Sequence, residues 1–143
     1  MQTFLPYSDF AETARVLDRQ RLGKQRVENL QIMKALLVPG SGWSNHPAVK
    51  MWRGHEVHLA EYHLAICHEW VRVRGYKDTC ADKMGDLLEE NPEWSPFAHR
   101  PEWLGDATFH RSHQSNLLRK DAAHYGRAFP AVPDDLPYVW PTP

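Results

Sequence analysis

Residues 19–42 read RQRLGKQRVENLQIMKALLVPGSG, and this stretch decides the fold. At about 100° per residue, Leu22, Leu30, Met33 and Leu37 fall along one side of a helix running from about Arg19 to Val38. Pro39-Gly40-Ser41-Gly42 then stops it, because proline lacks an N–H and glycine favours turns over helix. Gly23 weakens the start of the helix.

The helical period recurs outward from this segment. Ser8 or Asp9 is placed to cap a shorter helix with the stripe Phe10, Ala14 and Leu17, ending near Asp18; Glu12, three residues after Asp9, completes a capping-box pattern. Asn45 precedes Pro47, which suits a first helical turn, and Val49, Trp52, Leu59, Leu64, Ile66, Trp70 and Val73 carry a central, buried helix to about Arg74. Residues 78–90 suggest a shorter acidic helix, and a last helix is expected from about Asp106 to Lys120. Between these two, NPEWSPFAHRPEW is either an ordered loop pinned by its tryptophans or a mobile flap. The tail PAVPDDLPYVWPTP has too many prolines to be helical, yet Tyr138, Val139 and Trp140 suggest an extended strap. The expected fold is therefore all-α: a single compact helical domain over residues 1–143, of about four to six helices with a Pro-rich extended C-terminal tail.

Composition narrows the function classes. With 143 residues and 42% apolar content the chain is long enough to bury one core. It contains no apolar run of about 18 residues, and MQTFLPYSDF lacks a basic-then-apolar signal pattern, so a cytoplasmic protein without membrane association is expected. Cys67 and Cys80 form no CxxC pair, which excludes a disulfide scaffold or a four-cysteine zinc site and leaves two reduced, buried thiols as the expectation. A formal net charge of −1 argues against coating nucleic acid by bulk basicity. The charge is nevertheless uneven: residues 1–77 carry eleven Lys/Arg against seven Asp/Glu, residues 78–143 six against eleven. A polyanion would meet a local patch.

Two polar clusters could carry chemistry. RQRLGKQR holds Arg19, Arg21, Lys24 and Arg26, and a helix start so endowed can grip phosphates by charge and by backbone N–H groups; a solvated polar face accounts for it as cheaply. Arg21, Lys24 and Glu28 lie along one stripe. They form either a surface Lys24–Glu28 pair worth about 0.2–0.5 kcal/mol or a carboxylate that manages protons beside a phosphate-binding surface. The second cluster, FHRSHQSNLLRK, sets His110, His113, Asn116, Leu117 and Lys120 at helical steps with Arg111 and Arg119 flanking, a mixture suited to phosphates and base edges or, equally, to a plain helix exterior. His55, His58, His63 and His68 invite a metal reading, but HEVH is not HExxH and the spacing spreads the imidazoles around the helix. No metal and no cofactor is expected. GxSxG, Walker and dinucleotide glycine patterns are absent from the sequence.

Taken together, MQTF at the start, LDRQRL at 17–22, VENL around Glu28, GWSNHPAV at 42–49 and RKDAAHYG at 119–126 resemble the pyrimidine-dimer DNA glycosylase family, that of the phage-type endonuclease V, and within it an actinobacterial branch is expected. The resemblance implies a compact helical domain whose N-terminal α-amine attacks the sugar carbon of a damaged nucleotide, with Glu28 as acid/base. It implies that Met1 supplies the amine, since the bulky Gln2 normally blocks removal of an initiator methionine; the phage-type terminus is a small threonine, a departure that leaves Lys24 or an activated water as alternative nucleophiles. Val27 and Gln31 stand where the family carries arginines. By the same resemblance Asn45 and His46 contact DNA and Tyr125 lies close to the strand, although Asn45 would also serve as a plain helix cap with His46 its neighbour. Trp43 and Trp52 are candidates for a wedge that unstacks the lesion. The implied partner is double-stranded DNA containing a lesion or modified base, bound by a monomer. The competing readings are a non-catalytic DNA-binding module of the same fold and a metal-dependent hydrolase.

Overall fold

The computed structural model describes residues 1–94 and 99–141. In order, its helices are α1 (Phe10–Val16), α2 (Arg19–Leu37), α3 (Pro47–Lys50), α4 (Glu56–His68) running into a π-helical turn (Glu69–Val73), α5 (Cys80–Glu90), α6 (Ala107–Lys120) and α7 (Ala122–Tyr125). Among the described residues there is no strand. The fold is all-α as read from the sequence. Five helices exceed a single turn, and α3 and α7 are one-turn additions.

Local chemistry sets the boundaries. The Asp9 carboxylate accepts from Glu12 N at 2.9 Å and opens α1, as the capping pattern predicts. Asp106 opens α6 by accepting from Thr108 N and Phe109 N, and Asp78 opens α5 by accepting from Cys80 N and Ala81 N. The Arg74 guanidinium reaches the orphan carbonyls at the end of α1, with Leu17 O at 2.6 Å and Ala14 O at 3.1 Å.

The expected continuous helix from Pro47 to Arg74 is broken. Gly54 stands at φ +81, a left-handed conformation that a helix cannot pass through, so α3 ends after one turn and α4 starts afresh at Glu56. Its apolar residues are not all buried either: Leu64, Val71 and Val73 are exposed. Asn45 is not the cap of α3; His46 is, its Nδ1 accepting from Ala48 N at 3.0 Å.

The core gathers Leu5, Leu17, Leu22, Ile32, Leu59, Tyr62, Ile66, Phe109 and Leu117, all essentially inaccessible, where α1, α2, α4 and α6 face inward. Trp52, weighed as a wedge, is fully buried, stacks on Tyr62 and donates through Nε1 to Thr3 Oγ1 at 3.2 Å. Trp43 is 55% exposed. Gly23 permits a close approach instead of merely weakening α2: a Cβ there would lie 2.9 Å from the Trp70 ring.

The segment after Phe129 runs without helix along α6. Ser115 Oγ accepts from Leu136 N at 3.0 Å, Ser112 Oγ from Val139 N at 3.1 Å, and Arg119 donates to Asp134 O at 2.6 Å and Leu136 O at 2.9 Å. Of the proline-rich loop expected at 91–103, residues 95–98 lie outside the described residues.

Candidate active site

The first six residues are non-helical, and four of them, Thr3 to Pro6, are buried among the helices. A buried segment without its own secondary structure must pair its backbone with side chains. Gln25 on α2 does much of this, its Oε1 accepting from Phe4 N at 2.9 Å and its Nε2 donating to Gln2 O at 3.1 Å. Helix α4 adds Tyr62, whose hydroxyl donates to Phe4 O. Helix α6 adds His113 Nδ1, accepting from Leu5 N at 3.1 Å, His110 Nδ1, donating to Leu5 O at 2.7 Å, and Gln114 Nε2, donating to Pro6 O at 2.8 Å. The chain's first nitrogen is thereby held in one place.

That place is beside Glu28. The Met1 nitrogen lies 3.9 Å from Glu28 Oε1, an ion-pair distance longer than a direct hydrogen bond, and Lys24 Nζ lies 3.8 Å from the same oxygen. The Met1 side chain is only 2% exposed while the residue as a whole is half-buried, so its accessible area lies on main-chain atoms. Glu28 Oε2 is buried and has no hydrogen-bond partner among the described residues. Burial pushes the Glu28 carboxyl above the usual carboxylate range, and Lys24, the Met1 amine, the Gln2 N–H and Lys120 pull it partly back.

The rim is cationic. Lys120, at the end of α6, has its ammonium pKa lowered by burial and by Arg21, Lys24 and Arg119 around it. Lys24, the Met1 amine and Lys120 thus act on the one carboxylate, while Arg21, paired with Asp18 at 3.2 Å, and Arg119, bonded to carbonyls of the C-terminal segment, stand beside Lys120. Burial, followed by the charge of the Met1 amine, lowers the pKa of His46, which brings the GWSNHP loop to the same centre. The Tyr138 hydroxyl is buried and unpartnered among the described residues; burial pushes it up to about 12, and Arg119, Arg21 and Glu28 all act on it.

Of the residues singled out in the sequence, Met1, Lys24, Glu28 and Lys120 come together here, with Arg21, Arg119 and His46 close by. Residues 1–84 match the family model described as pyrimidine dimer DNA glycosylase. The chain belongs to that family. No curated protein and no solved structure matches it. The family match contains the amine, Lys24, Glu28 and His46, while Arg119, Lys120 and Tyr138 come from the part of the chain beyond it.

Other proposed DNA contacts are spent elsewhere. His110 is 7% exposed and both its ring nitrogens are engaged, by Leu5 O and Gly105 N; His113 is inaccessible, its Nδ1 held by Leu5 N and its buried Nε2 without a partner among the described residues. Asn116 donates to Ser112 O at 2.7 Å and to Leu136 O at 3.3 Å. Tyr125 is buried, with its hydroxyl bonded to Asp18. Arg26 pairs with Asp78 and lies 4.3 Å over the Trp70 ring. Arg19, Asn45 and Arg111 are exposed. Arg19 and Lys24 flank an open groove floored by Gly23 and Trp70.

The histidines of the central segment do not converge: His63 is buried against Cys80 O at 2.9 Å, His55 bonds His99 O, and His68 is exposed. Among the described residues no three His, Cys, Asp or Glu side chains are grouped to hold a metal. Cys67 and Cys80 are buried and unpaired, and burial pushes the Cys67 thiol up to about 12, far from a reactive thiolate. Among the described residues no helix is long and apolar enough to cross a membrane.

Gln25 is not singled out by the sequence, and Tyr138 is marked there only as part of the extended strap. Gln25 could have been: with Leu22, Glu28, Asn29 and Ile32 it falls on the buried stripe of α2, and polar residues at such positions signal an internal task. Tyr138 reaches the site only through tertiary packing of the tail.

Proposed function

We propose that residues 1–143 act together, as a monomer, as a DNA repair glycosylase with associated lyase activity, excising a damaged base from duplex DNA, with a pyrimidine dimer as substrate. The observation that carries this reading is the Met1 nitrogen held 3.9 Å from the buried Glu28 carboxylate, on which Lys24 and Lys120 also act. The neutral amine attacks C1′ of the damaged nucleotide, the C1′–N bond breaks, and the base departs with the bonding pair and takes up a proton. Glu28 accepts the proton that the attacking nitrogen sheds and returns it to the sugar ring oxygen as the ring opens to the imine. Glu28, ionised again, takes a proton from C2′ of that imine as the C3′–O bond to the phosphate breaks, which forms the C2′–C3′ double bond and cleaves the strand; water then hydrolyses the imine and frees the enzyme. A carboxyl raised by burial yet surrounded by cations suits both directions of transfer. The Met1 amine is fixed by the buried first residues of the chain whereas the Lys24 side chain is 61% exposed, which favours Met1 over Lys24 as nucleophile. Arg21, Arg119 and Lys120, with Arg19 and Arg111 further out, hold the phosphates, and the exposed Trp43 is the unstacking wedge.

Borohydride reduction in the presence of dimer-containing duplex tests this. Chain with a free Met1 amine is expected to couple covalently to the DNA, and chain acetylated at that amine is expected not to. Base release without coupling would transfer the displacement to water with Glu28 as base; coupling that survives acetylation and is lost in Lys24→Arg would transfer it to Lys24. Salt-dependent binding with no base released would leave a DNA-binding module.

A further inference from the structure

A second concentration of basic side chains lies outside the amine–Glu28 centre. Lys50, Arg53 and Arg100, with the imidazoles of His55 and His99, line a groove of about 540 Å3 in which Glu102 is the one carboxylate side chain among the described lining residues. Hydrogen bonds build it from two distant stretches of chain. The Trp103 indole N–H donates to Met51 O at 3.0 Å, the His55 ring bonds His99 O at 3.1 Å, and Arg53 Nη2 donates to Ser44 O at 2.7 Å. The first two contacts tie residues 99–103 to the turn after α3, and the third fixes Arg53 against the preceding loop.

The groove adjoins the centre. Lys50 is one helical turn beyond His46, with Lys50 N bonded to His46 O at 3.0 Å, and His46 in turn feels the charge of the Met1 amine. Its lining sets Lys50, Arg53 and Arg100 against Glu102 over a floor that includes Met51, Trp103 and Pro141, an excess of positive charge that suits a polyanion. Duplex DNA offers about one negative charge per 1.7 Å of axis, and guanidinium groups match phosphate oxygens geometrically. The exposed acidic residues of α5, Asp82, Asp86, Glu89 and Glu90, would repel a duplex laid along that helix.

We propose that this groove is a second DNA-backbone site, holding phosphodiesters of the duplex that flank the nucleotide engaged at Met1. The assignment rests on the glycosylase reading for its register, since the lesion sits at the amine, but its contacts are independent of sequence and damage. It extends the footprint by a few base pairs and anchors the helix on the side of the GWSNHP loop.

Binding of a long undamaged duplex, followed across monovalent salt, tests the groove. Each phosphate contact contributes about 0.9 to the slope of log affinity against log salt. Lys50→Gln/Arg100→Gln is expected to flatten that slope by roughly 2, whereas Arg72→Gln/Lys77→Gln, the same charge change on exposed residues outside the groove, leaves it unaltered. Phosphate-ethylation interference should map protected phosphates on flanking duplex in the wild type and lose them in the groove variant. An unchanged slope, or an equal fall in the outlying pair, overturns the proposal. Failure of the glycosylase reading is separable: wild-type protein would release no base, yet the groove variant would still flatten the slope.

Discussion

The start of α2 and the body of α6 look alike as sequence, each a run of arginines, amides and basic side chains at helical spacing, and the structure uses them in opposite ways. On α2 the basic residues mostly stay outward, with Lys24 61% exposed, while one face turns Gln25, Glu28 and Asn29 inward. On α6 the order is reversed: His110, His113 and Asn116 are buried among Phe109, Leu117 and the first residues of the chain, and the last turn leaves Arg119 and Lys120 at the rim. Helix α2 thus supplies the carboxylate, and α6 supplies the clamp that holds the chain's first residues against it. A buried polar group retained without a full set of partners, such as Glu28 Oε2, points to chemistry; a buried polar group fully engaged by backbone, such as His110, points to positioning.

The largest expected effect separates these two roles. Glu28→Gln keeps the shape but removes the proton-transfer group, so base release should fall by about 10²–10⁴ while DNA binding persists. Because burial raises the Glu28 carboxyl, the ionised form is disfavoured in the folded state, and the variant should unfold at an equal or higher temperature near neutral pH. A matching loss of stability and activity would show that Glu28 is structural.

Next comes the clamp. His113→Ala leaves the buried Leu5 N–H without an acceptor, a loss of about 1–3 kcal/mol with added cost from the void, and it should slow base release by letting the amine wander. Arg111→Ala, two residues away and exposed, should change stability by less than about 0.5 kcal/mol and weaken DNA binding alone. Urea denaturation of the two variants checks the contrast.

Much of this architecture was legible because apolar periodicity and caps are local signals. Asp9, Asp106 and the PGSG stop sit where short-range rules put them. Gly54 escaped notice because the apolar residues on both sides continue the helical pattern, and a single left-handed residue overrides it. Glu28 was found through the family resemblance and its stripe with Arg21 and Lys24. The histidines of α6 were misplaced because residue type was weighed above position: His110, His113 and Leu117 share one face, so a buried face carrying imidazoles could have been read from the spacing. The groove at Lys50 and Arg100 was not readable, since it joins residues brought together only by packing.

The buried imidazoles also give acid pH a definite effect. Burial lowers the pKa of His63 and His110 and holds His113 at about 3, with His110 adding to that last shift. A depressed folded pKa means stability that is complete above the unfolded value near 6.5 and is lost as pH falls toward the folded one. The urea midpoint should therefore decline from about pH 6.5 downward, with proton uptake on unfolding, and His113→Gln should shallow the decline. A flat profile between pH 6.5 and 4.5 would mean that these rings are not held neutral.

The smallest expected effect on stability bears most directly on mechanism. Lys24→Met removes the exposed half of an i,i+4 pair with buried Glu28, an interaction worth about 0.2–0.5 kcal/mol on a helix surface, so folding should respond little. Burial pushes the Glu28 carboxyl up, and Lys24 is the strongest single pull back down, ahead of the Met1 amine. Without Lys24 the carboxyl rises further, and a step that needs ionised Glu28 must show its acid limb displaced to higher pH. If Lys24 were instead the nucleophile, its loss would abolish covalent trapping at every pH. The pH profile of the residual activity thus decides whether α2 contributes one reacting group or two.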